Sequence, residues 1–307
     1  MICISVIMLV YNHEEFIARA ISSVLAQESS YLIELIICND ASTDKSHLLI
    51  KKAIEILPGN ISVKYFNHTV NLGMLENFLF SLNQCTGDYI AICEGDDYWT
   101  EPFLIQSEAD FLENHVNYNL VTGYVKEYFQ GTGRFVSPKD LKSYDFSYKD
   151  MLVRNHCSTC VTMIRNFIKN KKFEYIKDMG TDSQLWIQAL GKDGLGRKLP
   201  QIFGVYRRHQ NSATGIRKSQ AQTYKNGMDF MRRKVQKAEF WNRYYDGTAN
   251  LSVLQVKKHI YPKMIKAAFQ TKNLKDLIKY GINYCSAQFV FKFYKLRNFN
   301  FRLFNKN

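Results

Sequence analysis

Three polar clusters punctuate the first hundred residues, and each follows a short apolar run. They are Tyr11-Asn12-His13-Glu14, Asn39-Asp40-Ala41-Ser42-Thr43-Asp44 and Glu94-Gly95-Asp96-Asp97-Tyr98-Trp99. Paired carboxylates such as Asp96-Asp97 beside Glu94 can hold a divalent cation, whose oxygen shell phosphates then complete. Adjacent residues of a strand point to opposite sides. One of Asp96 and Asp97 can therefore turn to a metal while the other reaches a nucleotide ribose. Asp40, at the mouth of its own strand, can accept a base N–H. The plainer alternatives are that Asp96 caps a helix or solvates a turn and that Ser42 or Asp44 caps the helix that follows.

Neither G-x-G-x-x-G after the first strand nor G-x-x-x-x-G-K-[ST] anywhere occurs in the chain. Glycine-cradle modes of phosphate binding are disfavoured, which leaves carboxylate-held metal as the source of positive charge for a diphosphate. His156-Cys157-Ser158-Thr159-Cys160 has C-x-x-C spacing but no second ligand pair, so free thiols are expected rather than a zinc site.

The elements that must carry these clusters alternate. Ile2 to Val10 reads as a strand buried on both faces, as in a parallel sheet. Residues 14–27 place Phe16, Ile17, Ala20, Ile21, Val24 and Leu25 at helical spacing. Strands over Leu32–Cys38, Ile61–Phe66 and Tyr89–Cys93 alternate with helices over Ser46–Leu57 and Met74–Asn83. Residues 102–116 read as a further helix with Pro102 near its first turn. Residues 118–170 should extend the sheet, with a strand over Cys157–Ile164. Thr181–Leu190 is a short helix, Ile202–Tyr206 a strand, and everything beyond about 217 is helical. Four strand–helix alternations with short connections predict an α/β fold, an open, mostly parallel sheet flanked by helices. In such sheets ligands bind outside the carboxyl ends of the strands, where the acid clusters fall.

The chain has 307 residues, a net charge of +13 and 46% hydrophobic residues. That composition excludes wholesale disorder. Residues 1–216 hold 21 Lys and Arg against 24 Asp and Glu, whereas residues 217–307 hold 20 against 4. The expected division is a slightly acidic body, 1–216, and a basic helical extension, 217–307. Seven scattered cysteines fit a reducing compartment. The first apolar run is too short for a membrane span and lacks signal-peptide features. A cytoplasmic protein is expected.

Several segments occur together in order: Ser5-Val6-Ile7 through Tyr11-Asn12-His13, Glu34 to Asp44, Asn71-Leu72-Gly73, Gly87-Asp88-Tyr89-Ile90-Ala91 and Glu94 to Trp99. Over roughly residues 2–210 the chain resembles the GT-A fold of family 2 glycosyltransferases, especially the bacterial capsule and lipopolysaccharide branch. The resemblance implies a nucleotide-sugar donor, a UDP-sugar, a divalent Mn²⁺ or Mg²⁺ and inversion at the anomeric carbon. It places Val10, Tyr11, Asn12, Glu14, Asp40, Asn71 and Asp96 around the nucleotide-sugar, and Asp97, Asp96 and His209 around the metal. Through Thr181-Asp182-Ser183-Gln184-Leu185-Trp186 it makes Asp182 the general base. Through Tyr206-Arg207-Arg208-His209 it makes His209 a metal or phosphate contact. A carboxylate at a helix start can equally be a cap, and a histidine beside Arg208 can simply be solvated. Two departures from the family pattern are Asn39 in place of the first acid of a pair and Leu9-Val10 where proline is common.

The tail interleaves charge with Phe289, Phe291, Phe293, Tyr294, Phe299, Phe301 and Phe304. That mixture suits an anionic membrane surface. The expected acceptor is a glycan or lipid-linked glycan at the inner face of the plasma membrane. No nucleic-acid module accompanies the charge, and nucleic acid is not expected as a partner. The competing readings are a nucleotidyltransferase, which also uses paired acids and metal but lacks its glycine- and lysine-bearing loop here, and a non-catalytic membrane or nucleic-acid binder.

Overall fold

Residues 1–170, 172–175, 181–210, 212, 220–270, 276 and 278–288 are described by the structure, a computed structural model; the side chains of 181, 220–230 and 267–270 lie outside that description. The apolar runs form β1 (Cys3–Val10), β2 (Leu32–Asn39), β3 (Ile61–Asn67) and β4 (Tyr89–Ile92). Between them lie α1 (Ile17–Leu25), α2 (Ser46–Ala53) and α3 (Met74–Asn83). Then follow β5 (Tyr98–Trp99), α4 (Leu104–Asn114), β6 (Tyr118–Phe129), β7 (Arg134–Val136), β8 (Tyr144–Phe146) and α5 (Tyr148–Val153). The remaining elements are β9 (Thr162–Arg165), α6 (Thr181–Leu190), β10 (Leu195–Arg208), α7 (Gln220–Tyr244) and α8 (Asn250–Gln270).

Among the described residues ten strands make one mixed sheet in the order β3-β2-β1-β4-β9-β6-β10-β5, with β7 paired to β6 and β8 to β10. The long ladders are parallel: β1 with β2 and β4, β2 with β3, and β6 with β10. Central β1 buries Ile4, Val6, Ile7 and Met8 completely, as a strand covered on both faces must. Helix α1 contributes the stripe Ile17, Ala20, Ile21 and Val24, all fully buried. Each such side chain contributes about 1.5–3 kcal/mol.

One buried acid ties these strands to the start of β4. Glu34 accepts from Lys64 Nζ at 2.6 Å, Thr86 N at 2.6 Å, Thr86 Oγ1 at 2.7 Å and Gly87 N at 2.9 Å, and from the Ser5 hydroxyl. Burial alone would raise its pKa, but these donors bring it down to about 2.

Two expectations change. The strand expected over Ile202–Tyr206 runs from Leu195 to Arg208, because β6, β8 and β5 between them supply it with partners along its length. The strand expected over Cys157–Ile164 begins only at Thr162; a 3₁₀ turn occupies Thr159–Val161. There the Cys160 carbonyl accepts from the Trp99 indole and the Val161 amide bonds Ser158, so neither is available to a ladder.

The described residues divide into two compact units. The sheet unit contains residues of 1–147, 156–175 and 181–212. The second contains residues 148–155 and the helices from 220 onward. In it, Val235, Ala238 and Trp241 of α7 and Val256, Ile260 and Met264 of α8 are buried. Tyr148 bonds Thr248 and meets Tyr245 at a ring separation of 4.5 Å, which brings α5 into this core. A further helical stretch covers 278–288. Among the described residues no helix is long and apolar enough to cross a membrane. The aromatics from Phe289 onward, on which the membrane expectation rests, lie outside the described residues.

Candidate active site

Because β1 to β4 run parallel, their carboxyl ends share one edge of the sheet. The far strand β10 pairs antiparallel with β5, with Val205 opposite Tyr98 and Gly204 opposite Trp99. A Cβ at Gly204 would lie 2.9 Å from the Tyr98 carbonyl, so only glycine permits this approach. The pairing carries Arg207 and His209 to Asp96 and Asp97, a meeting of residues more than a hundred positions apart.

A cleft of about 490 Å³ opens at this edge. Val10, Tyr11, Asp40, Asn71, Asp96 and Asp97 line it, together with Glu94 and His13. A neighbouring pocket of about 470 Å³ is lined by Asn12, Glu14 and His209. Asn12 adopts φ 55°, and its side-chain oxygen accepts the Thr43 amide at 2.8 Å. Glu14 accepts the Lys45 amide at 3.0 Å, and Asp44 accepts the amides of Ser46 and Glu14, each at 2.9 Å. Asn12, Glu14 and Asp44 thus stitch the loop after β1 to the loop after β2.

Asp40 is 3% exposed. One carboxylate oxygen accepts Leu72 N at 2.7 Å and the other Gly73 N at 2.9 Å, while its carbonyl accepts the Asn71 side chain at 3.2 Å. A carboxylate offers about four acceptor sites. Asp40 can therefore hold the Asn71-Leu72-Gly73 loop and still accept a hydrogen bond from a ligand.

Asp96 and Asp97, in the turn between β4 and β5, have different partners. The Oδ2 of Asp96 lies 3.0 Å from His209 Nε2. Asp97 is 2% exposed; one oxygen accepts Arg207 N at 2.7 Å, and Oδ2 has no hydrogen-bond partner. Glu94 Oε2 is likewise buried and unpartnered. Burial, then the charge of Asp96, pushes Glu94 up to about 8. Burial, then the charges of Asp96 and Glu94, lifts Asp97 well above the carboxylate range. Burial would also raise Asp96, but the His209 hydrogen bond holds it low.

Two buried carboxylate oxygens without donors, beside a third acid that stays ionised, make a donor set that fits a hard divalent cation. Ligand atoms of Glu94, Asp97 and Cys160 lie within 4.8 Å of one another. Burial pushes the Cys160 thiol well up in the metal-free fold. Cys157 and Cys160 form no disulfide.

Asp182 sits half-buried in the first turn of α6. Its charge contributes to raising Glu94, which puts the two acids within electrostatic reach of each other.

Two residues beside the cleft carry no role in the sequence reading. His13 Nδ1 is buried and unpartnered, 2.8 Å from where a Cβ on Gly95 would stand. Burial lowers its pKa and favours the neutral imidazole. Arg207 donates through Nε to the Asp96 carbonyl at 2.8 Å and through Nη1 to Gln130 at 3.1 Å. Asn-His-Glu and Tyr-Arg-Arg-His were both visible as motifs, but nothing in the spacing said that their side chains face the acids.

Residues 5–171 match the family described as Glycosyl transferase family 2. An Escherichia coli relative, UDP-Glc:alpha-D-GlcNAc-diphosphoundecaprenol beta-1,3-glucosyltransferase WfaP, is 31% identical over 215 residues, covering 69% of this chain and 79% of WfaP. An uncharacterized Mycobacterium tuberculosis protein is 28% identical over 222 residues, 67% of this chain. The match spans only 58% of that mycobacterial relative's length. The crystal structure of S. aureus TarS 1-349 in complex with UDP-GlcNAc has a similar fold, with TM-score 0.56 and 16% identity over 94% of this chain and 91% of that one.

Proposed function

The chain belongs to glycosyl transferase family 2, and from that membership we propose that it transfers a sugar from a UDP-sugar to a glycan or lipid-linked glycan acceptor, with inversion and with a divalent cation, Mn²⁺ or Mg²⁺. The observation that carries this reading is the convergence of Asp40, Glu94 and Asp96 in one cleft, with His209 3.0 Å from Asp96. UDP and a lipid-diphosphate acceptor are proposed because WfaP is named for that reaction.

In this mechanism Asp40 accepts a base N–H while its other contacts hold the Asn71 loop, and Val10 and Tyr11 flank the nucleotide. Asp96 and His209 are the proposed holders of the cation, with Glu94 beside them. Asp97 can add only its second oxygen, since the first is taken by the Arg207 amide. When bound, the cation supplies positive charge to the leaving diphosphate. Asp182 takes the proton from the acceptor hydroxyl as that oxygen attacks the anomeric carbon. One displacement of this kind, with one base, inverts the centre.

The basic residues of 217–307 would hold the enzyme at an anionic bilayer, where a lipid-linked acceptor resides. The proposed setting is the cytoplasmic side of the plasma membrane. Support for it is the charge asymmetry of the chain and the acceptor of WfaP. The test of function is acceptor-dependent release of UDP from a panel of UDP-sugars with Mn²⁺. Release with a lipid-diphosphate sugar supports the reading; pyrophosphate release from nucleoside triphosphates, or no turnover of any donor, contradicts it.

A further inference from the structure

We infer that Arg207 is a positioning residue for the cation and diphosphate site. It fixes Asp96 and Asp97 from behind and ties them to the hairpin between β6 and β7. The inference rests on the metal-dependent donor reading above.

Arg207 is 7% exposed, and its groups are divided among three partners. The backbone N–H donates to Asp97 Oδ1 at 2.7 Å, Nε to the Asp96 carbonyl at 2.8 Å, and Nη1 to Gln130 Oε1 at 3.1 Å. The guanidinium lies 4.7 Å from the Phe16 ring centroid, 5.4 Å from that of Tyr128 and 5.5 Å from that of Tyr98. Arg208, next along the strand, instead pairs with Glu127 through Nε at 3.0 Å and Nη2 at 2.8 Å.

The consequence follows from the tight turn over 94–97, in which the Asp97 amide donates to the Glu94 carbonyl at 3.0 Å. The two carboxylates leave this turn from the two ends of one peptide. A donor on the Asp96 carbonyl fixes the plane of the Asp96–Asp97 peptide, and with it the direction of both carboxylates. One is then aimed at His209 and the other at the Arg207 amide. The three rings surround the guanidinium and limit its movement. Lysine keeps the charge but has neither the planar fork nor two donors at this separation. Gln130 is exposed, so the same guanidinium couples a surface hairpin to the acid pair.

The experiment uses the full chain with MnCl₂ and UDP. Mn²⁺ affinity is measured from the electron paramagnetic resonance signal of the free ion, alongside Tm, for wild type, Arg207→Lys, Arg207→Gln and Gln130→Ala. Residues that orient metal ligands typically change affinity about 10–100-fold. Both Arg207 variants should weaken Mn²⁺ binding about tenfold or more, with no rescue by lysine. Gln130→Ala should weaken it a few-fold at unchanged Tm. Wild-type affinity in Arg207→Lys, or variants that lower Tm alone, overturns the inference and leaves the proposed function standing. If the Arg207 variants do not fold, Gln130→Ala decides, and unchanged Mn²⁺ affinity overturns the inference. A wild-type protein that binds no Mn²⁺, with or without UDP, removes the functional reading and the inference with it.

Discussion

His209 stands with Nε2 3.0 Å from Oδ2 of Asp96, across 113 positions of sequence, and the bond joins the last residues of the sheet unit to the acid motif after β4. Asp96 keeps its charge through this contact, while Glu94 and Asp97 beside it are pushed toward protonation. The cleft therefore offers one ionised carboxylate, two proton-holding ones and an imidazole to whatever cation enters.

Asp182→Asn separates chemistry from binding. The amide keeps size and polarity but cannot take the acceptor proton. Turnover, read as UDP release, should fall about 10²–10⁴-fold. UDP affinity in Mn²⁺ should stay at the wild-type value. Turnover within a factor of a few of wild type would remove Asp182 from the mechanism and leave it as a helix-start residue.

Metal-free stability should depend on pH through Glu94. The ordinary value is 4.5 and the folded value about 8, raised first by burial and then by Asp96. A carboxyl raised in this way contributes stability that is fully present below about 4.5 and lost as pH climbs through about 8. Asp96, held low, acts in the opposite sense and only in the acid range. Asp97, also raised, acts in the same sense as Glu94, so the Tm of metal-free protein should fall across that interval and Glu94→Gln should make the fall shallower. Added Mn²⁺ should stabilise more at the alkaline end. A Glu94→Gln profile parallel to wild type would show that Glu94 ionises freely in the fold.

Asp40→Ala removes the acceptor of two amides at once, those of Leu72 and Gly73. The Gly73 amide keeps Asn71 Oδ1 at 3.0 Å and Leu72 is exposed, so the loss is that of the two hydrogen bonds, about 1 kcal/mol each. The variant should show a lower Tm and weaker UDP binding together. Lower Tm with unchanged UDP affinity would make Asp40 a loop anchor only.

Much of this arrangement was legible in the chain. The alternation of apolar runs and amphipathic stretches located β1 to β4 and α1 to α3, since burial on both faces dictates the first pattern and burial on one stripe the second. The acid clusters fell at strand ends for the same reason. What could not be read was tertiary. Arg207 and Asp97 meet only because Gly204 lets β10 close on β5, and no spacing encodes that pairing. Cys157–Val161 has strand composition, yet the Trp99 indole takes the Cys160 carbonyl and turns the backbone. Asn12, Glu14 and Asp44 each accept a backbone amide of the neighbouring loops, and no spacing in the chain announces those contacts.

Membrane attachment, if charge-driven, should be separable from catalysis. Lys258, Lys263 and Lys266 of α8 are exposed, while Val256, Ile260 and Met264 face inward. Each basic residue near an anionic surface contributes about 1 kcal/mol. Replacing all three by Glu should reduce sedimentation with phosphatidylglycerol vesicles roughly a hundredfold or more in partition coefficient. Turnover of a soluble acceptor analogue should be unaffected. Equal sedimentation of both proteins would refute attachment through this face.

The central claim is that the Asp96 cleft binds a nucleotide diphosphate through a divalent cation, and calorimetric titration of UDP measures it directly. Wild type should bind UDP at least tenfold more tightly with Mn²⁺ than with chelator, and Asp96→Asn should lose most of that difference while keeping its Tm. UDP binding of equal strength with and without Mn²⁺, or an Asp96→Asn variant that keeps the full Mn²⁺ effect, would contradict the account.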